Sequence, residues 1–260
     1  MHKLSMIKDK MDSSYVKQFS IEQLPEFCNQ IREKLIEIVS RTGGHIGVNL
    51  GVVELTVALH YTFDFPDDSL FWDVGHQIYV HKMLTGRLKK LETNRQNEGS
   101  PGYSFHKESI YDKVTSSHAG ASLSFGLGSA IGNQILKNNL YTISVIGDGS
   151  LVEGSSQEAL NHIAVENCKM LIILNDNERA IEENFGGLHE YLKKRQIGVK
   201  KQETYFSSLE IPYYGPIDGH NVITLVNELT RIKNNLQKPT ILHIKTTKGE
   251  GLENMLKNSP

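Results

Sequence analysis

Two polar residues follow two strand-like segments at a spacing that suits a metal site. Asp148 stands between two glycines after the apolar run 141–146, and Asn177 follows the run 170–174, with one helical segment between the runs. Because parallel strands joined by a helix end at the same edge of a sheet, the two side chains are expected to be neighbours. A carboxylate and an amide oxygen suit Mg²⁺, which completes its coordination with phosphate oxygens and water. The pair therefore predicts a magnesium site beside a phosphate.

Each half of this pattern also has a simpler interpretation. Asp148 alone is typical of a helix cap, and the sequence 175–177 (Asn-Asp-Asn) alone is typical of a turn. Two such features at matching strand ends favour the metal site. Gly149 would let the backbone approach a ligand closely, and the helix that follows would offer its N-terminal N–H groups to a phosphate.

A second glycine-rich stretch leaves two interpretations open. Gly126, Gly128 and Gly132 miss the GxGxxG spacing of dinucleotide-binding loops, because three residues separate the last two glycines. Together with Gly120, they indicate either a closely packed helix of small residues or close approach to a cofactor. The sequence GEG after Lys248 lacks the GxxxxGK[ST] pattern, which excludes a P-loop.

Three histidines lie beside Gly or Ser at predicted element boundaries. His45 follows a Gly-Gly pair, His76 follows a glycine at a strand end, and His118 opens the small-residue helix. A histidine so placed can bind a phosphate or transfer protons near neutral pH, although a lone histidine is usually structural. His81 lies five residues after His76, but no HExxH or CxxC motif supports a zinc site.

The elements that must position these residues alternate between strands and helices. A helical repeat of apolar residues follows Pro25 and stops at Gly43-Gly44. Further helices are predicted at 52–60, 117–137, 156–165 and 222–235, and strands at 70–74, 141–146, 170–174 and 241–246. This order implies right-handed crossovers. We therefore predict an α/β fold, a three-layer parallel sheet with helices on both faces.

The sequence is interpreted as one domain behind a short tail. Residues 1–19 are predicted to form a polar N-terminal arm, and residues 20–260 a single domain. Residues 186–206 are predicted to form an exposed loop. Its basic residues at 193–195, 200 and 201 are expected to be solvated.

Composition narrows the class of protein. With 28 basic and 30 acidic residues among 260, the formal net charge is −2, which argues against a dedicated nucleic-acid binder. Two cysteines do not make a disulfide framework and indicate a reducing compartment. No apolar run reaches the length of about 18 residues that a membrane span needs, and the first residues lack an apolar signal segment. We expect a cytoplasmic protein.

Several motifs resemble those of transketolase-like enzymes that use thiamine diphosphate. The GDG motif at 147–149, followed by NDN at 175–177, is similar to their diphosphate-binding motif. Four further stretches resemble 1-deoxy-D-xylulose-5-phosphate synthases in particular: GGHIGVNLGVVELTVALHYTFD (43–64), WDVGHQIYVHKMLTGR (72–87), YYGPIDGHN (213–221) and PTILHIKTTKGEG (239–251). The resemblance runs from about residue 25 to 252 and implies the diphosphate-binding domain of the thiamine-diphosphate fold.

The resemblance also implies roles for individual residues. Asp148, the Asn177 side chain and the carbonyl of Arg179 would hold Mg²⁺. His45 would handle protons of the substrate, and His76 would contact the diphosphate near the thiazolium. The remaining cofactor-binding residues implied by the resemblance are Gly147, Gly149, Ser150 and Lys248 at the diphosphate, with Ser117, His118 and Ala119 lining the site.

The sequence departs from the synthase pattern at several places. Ser117 replaces a glycine, 150–154 replaces a run of small residues, and Leu252 replaces the usual residue after KGxG. Residues 179–214 are shorter than the matching synthase segment, which puts its mobile loop in doubt. The pyrimidine-binding and C-terminal domains, which normally supply the glutamate that activates the cofactor, are absent from this sequence.

These departures predict an enzyme completed by a partner. With a separate pyrimidine-binding subunit, in an α₂β₂ heterotetramer, the chain would transfer a two-carbon unit from pyruvate, with decarboxylation, to an aldehyde. A piece of a longer enzyme is the alternative to a split one. Transketolase-like ketol transfer between sugars and a non-catalytic scaffold subunit are the alternative functions. A nicotinamide oxidoreductase is disfavoured by the missing dinucleotide motif.

Overall fold

The fold centres on a parallel sheet, seen in a computed structural model that describes residues 5–180, 182–195, 197 and 204–252. The strands are arranged in the order β1-β2-β3-β5-β4, and every neighbouring pair is parallel. Their bounds are β1 Ser69–Trp72, β2 Thr142–Gly147, β3 Met170–Asp176, β4 Tyr213–Asp218 and β5 Thr240–Lys245.

Helices connect and cover these strands. The α-helices of the described residues are α1 Leu24–Thr42, α2 Ile46–Leu50, α3 Val53–Thr62, α4 Tyr79–Lys82, α5 Leu88–Leu91, α6 Ser122–Ile135, α7 Asp148–Leu151, α8 Gly154–Ile163, α9 Gly187–Lys193 and α10 Val222–Asn235. Short 3₁₀ helices lie at Tyr15–Gln18, Ile21–Gln23 and Ser207–Leu209, and a π-helical turn at Met83–Arg87 continues α4.

The sheet carries an apolar core on each face. Successive residues of a strand point to opposite faces, so Ile143 and Val145 pack with α1, α3 and α10, whereas Ile146 packs with α6 and α8. These strand side chains are fully buried. A strand covered on both faces must be apolar where it is covered, as β3 is from Met170 to Leu174, before its polar end at Asn175 and Asp176. The predicted three-layer α/β architecture is confirmed.

The predicted helices agree with the observed ones except at the small-residue segment. The prediction at 222–235 coincides with α10, and the first long helix ends at Gly43, whose φ of +71° suits glycine. The helix predicted at 117–137 begins only at Ser122. The carboxylate of Asp73 explains the late start, because its oxygens accept the N–H groups of Gly120 and Ser122 at 3.0 Å and hold the preceding residues in a loop.

The sequence pattern does not reveal one strand, and the prediction of a loop at 186–206 requires correction. Strand β4 was not predicted, because this edge strand is only partly buried and contains Gly215-Pro216. Residues 186–206 are not a loop throughout, since α9 lies within them and buries Leu192. Lys193 and Lys194 are exposed as expected, whereas Arg195 is half-buried over the rings of Tyr191 and Tyr213. Positions 200 and 201 lie outside the described residues.

The described part of the predicted N-terminal arm, residues 5–19, packs against the domain. Met11 and Val16 are fully buried and belong to the core that includes α1 and α3. These two apolar side chains of the predicted arm are therefore part of the core. The division of the chain into an arm and the single domain 20–260 otherwise stays a prediction.

Candidate active site

The carboxyl ends of the strands border a cavity of about 600 Å³. Gly147 at the end of β2 pairs with Asn175, and Asp176 at the end of β3 pairs with Lys245, so the polar strand ends share one edge of the sheet. The cavity collects ten of the twelve predicted site residues: His45, His76, Ala119, Gly147, Asp148, Gly149, Ser150, Asn177, Arg179 and Lys248.

Asp148 is the first residue of α7 and is 5% exposed. One of its oxygens accepts a hydrogen bond from the side-chain amide of Asn184 at 2.8 Å. Burial, followed by the neighbouring charge of Asp176, raises the pKa of Asp148 to about 7. The site therefore holds a carboxylate whose negative charge is poorly compensated by the described residues.

Asp176 differs from Asp148 because a histidine and a lysine donate hydrogen bonds to its carboxylate. Burial alone would raise its pKa, but hydrogen bonds from His243 and Lys245 outweigh burial and lower the pKa to about 2. The His243 Nε2 and Lys245 Nζ atoms lie 2.9 Å and 2.7 Å from Asp176 Oδ2. Asp176 is thus an ionised neighbour that holds the strand ends together and adds negative potential beside Asp148.

The donor set at these strand ends fits a hard divalent cation. Asp148 offers a carboxylate, Asn177 a side-chain carbonyl and Arg179 a backbone carbonyl, and all three residues line the cavity. The Asn177 oxygen accepts the Arg179 N–H at 3.1 Å, which orients the amide. A divalent cation would supply the positive charge that the buried Asp148 lacks. Within the described residues, no cluster of three or more His, Cys, Asp or Glu side chains could hold a metal ion, so a site here would use the amide and backbone oxygens as well.

Two histidines and a tyrosine form another wall of the cavity. The His45 and His76 rings meet edge to face with centroids 5.4 Å apart, and the Tyr103 hydroxyl lies 3.4 Å from His45 Nε2. Burial, then the charges of Arg95 and Lys248, lowers the pKa of His45. Burial, then the nearby His45, lowers the pKa of His76 to about 4. Both rings are therefore neutral at neutral pH and able to accept a proton.

Asn49 holds the two histidine-bearing segments together. Its side-chain amide nitrogen donates to the backbone carbonyls of His45 and His76, both at 2.8 Å, and its oxygen accepts the N–H of Tyr79 at 2.9 Å. The residue is fully buried. Sequence reasoning missed Asn49, although a single amide within the apolar run that follows His45 is the signal that could have revealed it.

Comparison with known proteins identifies the family. The sequence model for 1-deoxy-D-xylulose-5-phosphate synthase matches residues 4–203 and 195–246. This chain belongs to the 1-deoxy-D-xylulose-5-phosphate synthase family. The synthase of Listeria monocytogenes is 44% identical over 257 residues, and that of Buchnera aphidicola is 42% identical over 236 residues. These alignments cover 96% and 89% of this chain but only 42% and 40% of the relatives, so the chain spans less than half of their length.

Solved structures of transketolases share the fold. The enzyme from Leishmania mexicana superposes with a TM-score of 0.72 at 23% identity, covering 90% of this chain and 37% of that one. A Campylobacter jejuni transketolase gives a TM-score of 0.74 at 21% identity, covering 90% and 39%. At this identity the likeness concerns the fold alone. In the described part of this synthase-family chain, no helix has the length and apolar character that crossing a membrane requires.

Two predicted site residues of the synthase-family chain lie outside the cavity. Ser117 and His118 are exposed in the loop before α6 and do not line the cavity, whereas Ala119 of the same loop does. The backbone turn at Gly120, with φ of +82°, directs this loop across the edge of the site. The cofactor roles of Ser117 and His118 stay predictions.

In helix α6, Gly126 allows close packing against strand β2. A Cβ atom on Gly126 would lie 2.1 Å from Ser144 Oγ, so this glycine brings α6 against β2. Gly126, Gly128 and Gly132 do not line the cavity described above. Close packing, one of the two interpretations that the sequence left open, therefore holds for Gly126, whereas a Cβ at Gly128 or Gly132 would meet nothing within 4 Å. His81 is likewise remote from the cavity, since its Nδ1 atom lies 2.9 Å from the buried His60 Nε2.

Proposed function

We propose that this chain is the diphosphate- and Mg²⁺-binding part of a thiamine-diphosphate-dependent transferase. With a pyrimidine-binding partner, it transfers a two-carbon unit from pyruvate, with decarboxylation, to an aldehyde acceptor. The observation that carries the proposal is the convergence of Asp148, Asn177, His45, His76 and Lys248 on one cavity at the carboxyl edge of the sheet. Membership of the synthase family supports the pyruvate-decarboxylating reaction.

The strand-end residues are suited to the diphosphate end of the cofactor. Asp148, Asn177 and the Arg179 carbonyl would hold Mg²⁺, and Gly149, where a Cβ would approach Ala180 Cβ to 3.0 Å, keeps the backbone accessible. Other residues of the same wall, Ser150 and Lys248, would bind phosphate oxygens. When bound, thiamine diphosphate supplies the carbon nucleophile and electron sink for breaking and forming the substrate carbon–carbon bonds.

The histidine wall would bind substrate and move protons. His45 and His76 are neutral near pH 7, so each offers one N–H donor and one nitrogen acceptor to a substrate hydroxyl or carbonyl. Tyr103 contacts His45 and limits the space beside it. This wall is the place where protons of donor and acceptor substrates would be exchanged.

A partner chain would complete the site. In the relatives, more than half of the length lies outside the region matched here, and this remaining part is the candidate for completing the site. We propose that a separate subunit supplies it and that an α₂β₂ heterotetramer forms. The test is purification of this chain from its native source: a co-purifying pyrimidine-binding chain supports the proposal, and an active preparation without a second chain contradicts it.

Cofactor binding tests the site directly. Titration calorimetry should show thiamine diphosphate binding that needs Mg²⁺, with this chain alone or with its partner. Asp148→Ala should remove that binding, because the buried metal ligand is lost. Asp67→Ala, at an exposed carboxylate near the opposite edge of the sheet, is the matched control and should bind as the wild type does. Equal binding by the wild type and Asp148→Ala would overturn the site assignment.

Carbon dioxide release distinguishes the candidate reactions. With pyruvate and an aldehyde, the reconstituted complex should release CO₂ in step with product formation. Ketose consumption without CO₂ would instead support transketolase-like ketol transfer, which the shared transketolase fold makes the second candidate. Cofactor binding without turnover of either donor would support a scaffold subunit.

A further inference from the structure

His220 joins helix α3 to the segment that follows strand β5 and has been given no role so far. It belongs to the motif 213–221, which the sequence singles out, and it follows strand β4. Its Nδ1 atom lies 3.4 Å from Glu54 Oε2, and its Nε2 atom accepts the backbone N–H of Thr247 at 2.7 Å. The ring thus bridges helix α3 and the segment after β5.

These two contacts indicate which ring nitrogen of His220 carries the hydrogen. Nε2 must carry a lone pair to accept the Thr247 N–H, so Nδ1 carries the hydrogen and donates it to the Glu54 carboxylate. The backbone of His220 is fixed as well, because its N–H donates to Asp218 Oδ1 at 2.9 Å. The imidazole therefore has a set orientation as well as a set position.

Glu54 links His220 to Arg32, which makes a second contact with the segment after β5. Glu54 and Arg32 are 6% and 5% exposed and form a buried ion pair. The Arg32 Nε atom donates to the backbone carbonyl of Glu250 at 3.1 Å. Gly251 lies so close that a Cβ there would be 2.7 Å from Arg32 Cδ. The segment 247–250 is held at one end by His220 and at the other by Arg32.

Lys248 and Gly249 lie between these two contacts, at Thr247 and Glu250. The Lys248 side chain lines the cavity, and its Nζ atom donates to the carbonyl of Ala180 at 2.9 Å beside the predicted metal ligands. The next residue, Gly249, donates its N–H to the carbonyl of Gly47 at 2.8 Å, two residues after His45. The position of this segment therefore sets where the Lys248 ammonium lies relative to the strand ends.

We propose that His220 is a positioning residue for Lys248. The side chains of His220, Glu54 and Arg32 form a clamp that fixes the backbone on both sides of Lys248 and keeps its ammonium at the diphosphate end of the cavity. The proposal rests on the proposed function for the role of Lys248. It assigns to His220 an effect on cofactor affinity through Lys248, without contact with the cofactor.

A double-mutant cycle separates positioning from general structural support. His220→Ala should weaken Mg²⁺-dependent thiamine diphosphate binding by about tenfold, as expected when a charged contact is misplaced. Lys248→Ala should weaken binding at least as much. The double variant should bind within about twofold of Lys248→Ala, because His220 acts only through Lys248. Additive effects in the double variant, or wild-type affinity in His220→Ala, would overturn the proposal.

Two further variants make the cycle decisive. His220→Gln should recover part of the affinity, since its amide oxygen can accept the Thr247 N–H. His162→Ala, at an exposed histidine of α8, is the matched control and should bind as the wild type does. A variant that loses affinity without rescue by glutamine, and with a changed circular dichroism spectrum, would indicate misfolding and count against positioning.

Hydrogen exchange tests the clamp without the cofactor. In the chain without ligand, His220→Ala should speed amide exchange at Thr247 and Gly249 by at least about tenfold, while amides of β2 keep their protection. Unchanged exchange at Thr247 would overturn the clamp, whatever the cofactor data. If the wild type does not bind thiamine diphosphate, the proposed function fails, whereas faster exchange at Thr247 still supports the clamp.

Discussion

The Nε2 atom of His45 lies 3.4 Å from the hydroxyl oxygen of Tyr103, and the two rings meet edge to face. Tyr103 is carried by the segment 100–116, which lies between helix α5 and helix α6. The surroundings of His45 therefore depend on how firmly this segment is held. Two buried carboxylates, Glu108 and Asp112, hold it.

Removing the Tyr103 hydroxyl should affect turnover more than cofactor binding. In Tyr103→Phe the ring still packs against His45, but the polar contact to Nε2 is lost. A neutral hydrogen bond contributes about 1 kcal/mol, so kcat of the reconstituted complex should fall about fivefold. Thiamine diphosphate affinity should stay within about twofold of the wild type. A tenfold loss of cofactor affinity with unchanged kcat would contradict this role for Tyr103.

The buried ion pairs that Glu108 and Asp112 form with Lys82 and Arg87 should be essential for stability. Both carboxylate oxygens of Asp112 accept hydrogen bonds from Arg87 at 2.9 Å, and Asp112 Oδ2 also accepts the N–H of Phe105 at 3.0 Å. Asp112→Ala removes one partner and leaves Arg87 buried with one ion-pair partner fewer. The free energy of unfolding in urea should drop by about 3–5 kcal/mol. Asp67→Ala, at an exposed carboxylate, is the control and should change it by less than about 0.5 kcal/mol.

The stability of the fold should decrease in mild acid because of two buried histidines. His60 Nε2 lies 2.9 Å from His81 Nδ1, and both rings are almost completely buried. Burial lowers the pKa of His60 from 6.5 to about 3, and burial followed by the His60 charge lowers the pKa of His81. As the pH falls, the two histidines therefore become protonated in the unfolded chain at a higher pH than in the folded chain. Their contribution to stability is complete above about pH 6.5 and is lost as the pH falls toward 3.

The measurement is urea unfolding at pH 7, 6 and 5. Each histidine should lower the free energy of unfolding by up to about 1.4 kcal/mol per pH unit below 6.5. His60→Gln removes one titrating ring and should reduce this slope, whereas His162→Ala on the exposed face of α8 should leave it unchanged. A wild-type unfolding free energy that stays constant from pH 7 to 5 would contradict the prediction.

Two glycines of α6 should respond to alanine in opposite directions. A Cβ at Gly126 would lie 2.1 Å from Ser144 Oγ and 2.8 Å from Met170 Cε, whereas a Cβ at Gly128 meets nothing within 4 Å. Gly126→Ala should destabilise the protein by about 1–3 kcal/mol through overpacking. Gly128→Ala should stabilise it by about 0.5–1 kcal/mol, because alanine loses less entropy in a helix. The measurement is the thermal unfolding of both variants. Equal shifts of the two melting temperatures would contradict the prediction.

The sequence by itself determined the fold class and most of the site. Buried strands are mostly apolar, so β2 and the first five residues of β3 stand out between helical repeats. Parallel strands end at one edge, so Asp148 and Asn177 could be placed together from their positions alone. The edge strand β4 was not predicted, because it is partly exposed and interrupted by Gly215-Pro216 and so lacks a continuous apolar run.

Only the tertiary structure decided which distant residues cooperate. No local pattern connects Arg32 with Glu250, Glu54 with His220, or Tyr103 with His45, because these contacts depend on how helices and loops pack over the sheet. The same holds for the raised pKa of Asp148, which requires both burial and the nearby Asp176. Residue types and spacing specify which chemistry is available, whereas side-chain packing sets distance and burial, and these determine charge and orientation at the site.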